Sequence, residues 1–177
     1  MNSKIDLLKE RVAARLRGLG DFDGVPVLTY RDGDLQATIE TSVGTTGLCV
    51  LVTVRQALPS AYPTLVPFFE PVTLDLNLIE NLLVNTGPGG RGTAAFALAE
   101  VAARALQGWC PLSDDPANRY FLLRCDPVGF TELTAPVSAS GNVNAAALNS
   151  VLGAINASSA HGLVIVSARF LVPCLAT

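Results

Sequence analysis

Between residues 72 and 78 every second position is apolar: Val72, Leu74, Leu76 and Leu78 alternate with Thr73, Asp75 and Asn77. A period of two puts the apolar set on one face of a β-strand and the polar set on the other. A strand with one dry and one wet face belongs to an antiparallel sheet that carries a packing layer on its dry side. The sequence supplies helices for that layer. Ile5, Leu8, Val12 and Leu16 recur at helical spacing over residues 3–17, with Ser3 as N-cap, Asp6 three residues on, and Gly18 and Gly20 at the end. A second helix is expected over residues 93–107, alanine-rich and apolar on nearly all sides. Glu100, Arg104 and Gln107 form its one polar stripe, and Glu100 and Arg104 have the i,i+4 order that favours an ion pair. A helix this apolar is expected to be covered on most of its circumference.

Further strands are expected over residues 25–30, 35–40, 48–55, 120–125 and 163–172. The 35–40 strand rests on the alternation of Leu35, Ala37 and Ile39, after a turn at residues 31–34 through its Asp-Gly pair. Residues 44–47 are read as a further turn and residues 113–118 as a polar loop. Residues 56–71 contain Pro59, Pro63, Pro67 and Pro71 and are read as a connecting loop, because proline supplies no ladder donor. Its Tyr62, Leu65, Phe68 and Phe69 are expected to be exposed, as a lid or a docking arm. Residues 134–142 read as a Pro/Ser/Gly loop, and Asn144 as the cap of a helix carrying Leu148, Val151, Leu152 and Ile155. The order implies one α+β domain over residues 1–177, with a mainly antiparallel sheet and the N-terminal and central alanine-rich helices packed on it. Residues 113–177 are a candidate C-terminal subregion.

Charge limits what such a domain can do. Charged residues make up 15% of the 177, against roughly 25% in an average soluble domain, while apolar residues make up 50%. The net charge of −3 gives no broad basic footprint for nucleic acid. Residues 133–168 contain no Asp, Glu, Lys or Arg and only one ionisable side chain of note, His161. So little charge implies a surface covered by lipid or by partners. The lipid reading fails on length, because a spanning helix needs about 20 apolar residues. Thr53 interrupts the run at 48–54, and Ser167, Arg169 and Pro173 interrupt that at 163–175. Lys4, Asp6, Lys9, Glu10, Arg11, Arg15 and Arg17 leave no apolar core for a signal peptide, so a cytoplasm-like compartment is expected. Cys49, Cys110, Cys125 and Cys174 show no CxxC spacing and are read as free thiols.

Motifs for chemistry are few. Gly87-Pro88-Gly89-Gly90-Arg91-Gly92 matches GxGxxG and precedes a helix. A dinucleotide site needs those glycines directly after a parallel strand, and a second strand ending in an acid after the helix. Here the preceding strand ends near Leu78, and Trp109-Cys110-Pro111 follows the helix. A Walker-type phosphate loop spanning Gly87 to Gly92 would need a lysine directly after Gly92, where Thr93 stands, and Arg91 does not supply it. The loop is therefore read as flexible, and a nucleotide- or dinucleotide-binding enzyme using residues 87–92 is the alternative function. His161 is the one histidine, without a GxSxG partner motif or other metal ligands at spacing. The pairs Asp21/Asp23, Asp32/Asp34 and Asp114/Asp115 fall in predicted turns and are read as local caps. The N-terminal bases are interleaved with Asp6 and Glu10 and read as a solvated helix face. No catalytic, cofactor-binding or metal-binding residue is assigned.

Residues 72–109 carry a family resemblance. A strand leads into Glu80-Asn81, then Asn85, a glycine-rich loop and an alanine-rich helix ending in Leu106-Gln107-Gly108-Trp109. This order resembles the tail terminators and the related Mu-like minor tail proteins, small tail-completion proteins of tailed bacteriophages. Upstream, the amphipathic helix, Gly24-Val25-Pro26-Val27 and residues 48–54 follow the same order. The resemblance covers about residues 3–110; residues 113–177 lie outside it. The family often has an Asn-Arg pair after the Glu-Asn, whereas Asn85 here is followed by Thr86.

The resemblance implies a structural virion protein without enzymatic activity. It would be an α+β subunit of a six-fold ring that caps the tail tube, ends tail growth and joins the tail to the head. The partners implied are further copies of itself in a hexameric ring, the tube protein, a head–tail connector or neck protein, and a sheath where the tail has one. Neither a membrane nor sequence-specific nucleic acid is implied. The location implied is the tail or neck of the virion, after assembly in the host cytoplasm. Two contact elements are expected. One is the proline-aromatic loop with Tyr62, Phe68 and Phe69, for its exposed apolar residues. The other is the glycine loop with Gly87, Gly89, Arg91 and Gly92, for its conformational freedom.

Overall fold

A computed structural model describes residues 3–30, 34–59, 68–134 and 163–176. The elements are α1 (Lys4–Arg17), a 3-10 turn (Gly20–Phe22), β1 (Val27–Leu28), α2 (Leu35–Thr45), β2 (Leu48–Pro59), β3 (Phe68–Asn81), α3 (Leu82–Asn85), α4 (Ala95–Leu106), β4 (Arg124–Thr134), β5 (Leu163–Val172) and β6 (Leu175–Ala176). One sheet has the order β1-β2-β3-β5-β4, with β6 beside the start of β3. Only the β1–β2 pair is parallel. The fold is α+β on a mostly antiparallel sheet, with α1 and α4 on one face and α2 on the other.

The spine is β3, paired to β2 on one side and to β5 on the other. Its Val72, Leu74, Leu76 and Leu78 are fully buried against α1 and α4. At one end of the sheet, here the lower end, Leu48 opposes Glu80 and Asn81 opposes Leu163. At the upper end Pro59 opposes Phe69, and Phe68 opposes Ala176. β4, β5 and β6 complete this sheet, so the C-terminal residues share the core of the N-terminal ones.

The polar face of β3 is not wet. Asn77 is only 4% exposed. It donates to Thr53 Oγ1 at 3.2 Å and accepts from Ser167 Oγ at 2.7 Å. Asp75 accepts from Arg169 Nε at 3.1 Å and pairs with Arg55 at 3.7 Å. Side chains of β2, β3 and β5 thus satisfy one another, which is what burial of polar groups demands. Nearer the lower end the same face is apolar. There Ile39 and Val43 of α2 cover Cys49, Leu51, Ile79, Leu163 and Ile165.

Local chemistry explains the helices. Ser3 Oγ accepts the Asp6 amide at 3.1 Å to start α1, and the Gly18 amide donates to Ala14 and Arg15 at its end. Residues 35–40 are helical, which corrects the strand expected there. Asp34 Oδ1 accepts the Ala37 amide at 3.2 Å as an N-cap. Leu35, Ile39 and Val43 then follow i, i+4, i+8 toward the sheet, while Ala37 is exposed.

Residues 56–71 are not one loop either, since β2 continues to Pro59 and β3 begins at Phe68. The prolines fall where the ladder makes no demand. Pro59 ends a strand, and Pro71 lies between the Ala57↔Val72 and Pro59↔Phe69 pairs, where the register shifts.

Other boundaries move too. β1 is two residues rather than 25–30, and β4 starts at Arg124 rather than at 120. The strand at 163–172 stands as expected. The loop and helix expected across 135–162 lie outside the described residues. α4 is covered on one side only. Ala95, Leu98, Ala99, Ala102 and Leu106 are buried and Phe96 is exposed; Glu100 and Arg104 are exposed and form no ion pair among the described residues.

Candidate functional site

The lower end of the sheet holds the motif residues in one hydrogen-bonded knot. Asn81 Oδ1 accepts the amides of Leu83 and Val84 at 3.1 and 3.3 Å and so starts α3, the single turn that carries Asn85. Asn85 is buried. Its Nδ2 donates to Glu80 Oε1 at 2.6 Å and to the Thr93 carbonyl at 3.0 Å. Its Oδ1 accepts the Gly92 amide at 3.1 Å. The second carboxylate oxygen of Glu80 accepts the Ala95 amide at 2.8 Å. Ala94, at the N-cap of α4, has no side chain able to do this, so a residue of β3 caps the helix instead.

This geometry decides how the glycine loop behaves. It is held closed, which corrects the expectation of a flexible loop. A Cβ on Gly90 would lie 2.1 Å from the Val84 carbonyl oxygen, and one on Gly47 would lie 2.4 Å from the Asn85 amide nitrogen. Backbone packs on backbone here, and only glycine fits. The Gly87 carbonyl accepts the Gly90 amide at 3.0 Å, and Gly89, with φ of 86°, faces open space. The Arg91 guanidinium turns inward to the carbonyls of Asp21 and Asp23. A phosphate at this helix N-terminus would need the amide that Glu80 already holds.

The other expected contact element is also altered. Phe69 is half-buried against the main core, not presented on an arm. The Phe68 backbone pairs with Ala176. Tyr62 and His161 lie outside the described residues. Two of the aspartates read as caps do cap: Asp34 starts α2, and Asp115 accepts from the Ala117 amide and from Asn118 Nδ2, each at 3.0 Å. Asp114 instead pairs with Arg11, and Asp32 lies outside the described residues.

The exposed large apolar side chains are Tyr30, Leu58, Leu82, Leu83, Phe96, Tyr120 and Leu122 among the described residues, and the two most exposed lie at opposite ends of the sheet. Leu83 is 70% and Leu82 41% exposed, both on α3 at the lower end. Tyr120 is 72% exposed, with Leu122 also exposed, beside the upper end. That placement follows from Asn118, which donates to the Ala176 carbonyl at 3.0 Å and accepts the Ala176 amide at 2.8 Å. No periodicity marks these positions. The available signal was that Leu82 and Leu83 follow a capping Asn81 on a turn too short to bury both.

Arg119 stacks on Tyr120 at 4.7 Å and forms no ion pair among the described residues. Nearby Asp115 is held down to about 2, first by its hydrogen bond from Lys4, then by Asn118 and the Ala117 amide. Asp114 pairs with Arg11. Burial pushes the Cys49 thiol up to about 12, and burial followed by the charge of Glu70 raises Cys174. Among the described residues no cluster of His, Cys, Asp and Glu could hold a metal, and no helix is long and apolar enough to cross a membrane. The chain matches no protein-family model and no curated protein.

Proposed function

We propose that this protein is a tail-completion subunit of a tailed bacteriophage, a tail terminator. Copies form a six-fold ring on the finished tube, stop its growth and present a surface to the head connector. The observation that carries this reading is the placement of exposed apolar side chains at both ends of one sheet, with Leu82 and Leu83 at one and Tyr120 and Leu122 at the other. A subunit gripped by neighbours needs two such surfaces. The reading also draws on the low charge of the chain and on the order of residues 72–109, where Glu80, Asn81 and Asn85 hold one knot. The function asked of these residues is shape and adhesion, and it uses no reacting group.

Particles assembled without this protein test the reading. Tails of uncontrolled length, unjoined to heads, are the expected result. Tails of normal length joined to heads would overturn it.

A further inference from the structure

Each outer strand of the sheet is met by a side chain from the end of a helix. In the parallel pair the Val50 amide donates to the Pro26 carbonyl at 2.8 Å, so the Val27 carbonyl points away from β2 and out of the sheet edge. Arg17, the last residue of α1, donates to that carbonyl from Nε at 3.0 Å and from Nη2. At the opposite edge Cys125 of β4 lies across from Phe170. Its amide donates to Oε1 of Gln107, the C-cap of α4, at 2.6 Å. Just before it, Leu123 accepts from the Gly108 amide and donates to the Trp109 carbonyl, each at 2.9 Å. The turn after α4 therefore runs along the start of this edge. Each guarded group also has a proline close by in the chain, Pro26 before Val27 and Pro127 after Cys125, and proline offers no donor to a further strand.

A sheet edge with free amides and carbonyls is a template for another chain. The exposure would be serious here, because Val27 and Leu28 carry no charge and the whole chain is only 15% charged. We infer that Arg17 and Gln107 are edge guards. They occupy outward backbone groups of β1 and β4, so that a second copy of this chain does not add its strand to the sheet. Identical edges related by a two-fold axis pair antiparallel, so loss of a guard opens a surface that matches itself. The guards leave association between copies to surfaces other than these edges. The assignment does not rest on the tail reading.

Arg17→Ala and Gln107→Ala in the full chain remove the guards without adding apolar bulk. Three controls accompany them. Arg104→Ala removes an exposed charge that has no bond to either edge among the described residues. Ser3→Ala removes the N-cap of α1 and lowers stability with both edges closed. Gln107→Glu keeps an acceptor for the Cys125 amide. Melts followed by circular dichroism give each midpoint. Aggregation is then followed well below the lowest midpoint, at equal concentration, by thioflavin fluorescence and light scattering. Each guard variant is expected to form sheet-rich aggregate about tenfold faster than the wild type, and the double variant faster than either. The three controls are expected to stay near the wild-type rate. Guard variants that aggregate no faster than the wild type overturn the assignment. So do guard variants that aggregate no faster than Ser3→Ala or Arg104→Ala, because lost stability or lost charge then accounts for the change.

Discussion

Asn85 Nδ2 donates to Glu80 Oε1 at 2.6 Å, and both side chains are at most 3% exposed. Through this bond β3 fixes the turn after it, the glycine loop and the first amide of α4. Replacing Glu80 with Ala strands the Ala95 amide and one Asn85 donor in the interior. Each orphan costs about 1–3 kcal/mol, so a loss of about 2–6 kcal/mol is expected in urea unfolding. Glu80→Gln keeps one acceptor oxygen and is expected to lose less. Equal losses would mean that the cap on α4 contributes nothing.

The glycines of the loop are expected to differ from one another. Gly90→Ala drives a Cβ into the Val84 carbonyl and is expected to cost about 3 kcal/mol or more. Gly89→Ala meets open space and pays only for its positive φ, about 1–2 kcal/mol. Calorimetry with ATP, GTP, NAD and NADP is expected to show no binding by the wild type. Saturable binding lost in Gly89→Val would favour the nucleotide alternative.

Cys49 is fully buried, and its thiol is pushed up to about 12. The reactive thiolate is therefore scarce at pH 8, and the reagent has no path to it. Maleimide labelling followed by peptide mass spectrometry is expected to modify Cys49 last among the four cysteines, at a rate that follows global unfolding. Early modification of Cys49 would contradict the buried packing of α2 on the sheet.

Asp115 supplies an acid-labile tie between α1 and the turn at residues 111–120. Its folded value of about 2 lies below the ordinary 3.8, with the Lys4 bond as the first cause. A depressed carboxylate stabilises the fold above its unfolded value, and this contribution is lost as pH falls from about 4 through about 2. Thermal midpoints measured across that window are expected to fall more steeply for the wild type than for Asp115→Asn. Parallel slopes would show that the tie adds nothing.

Sequence spoke clearly where structure is local. Ser3 and the spacing of Leu8, Val12 and Leu16 gave α1, alternation gave residues 72–78, and the strand at 163–172 stands where it was expected. It misled at residues 35–40, where Leu35, Ala37 and Ile39 fit a period of two while Leu35, Ile39 and Val43 fit a helix; the cap at Asp34 decides. It also misled at the prolines, whose tolerance depends on the register of a partner strand. The glycine loop looked free because its restraint comes from Glu80 and Asn85, and Gly47 meets Asn85 only once the strands have paired. Leu83 and Tyr120 show no pattern, since exposure is set by what fails to pack on them.

The most direct test adds the purified protein to growing tail tubes in the presence of excess tube protein and follows tube length by electron microscopy. Elongation that stops at once, with a ring of added density at one end, is the result the account predicts. Tubes that keep growing at the unadded rate, with bare ends, would contradict it.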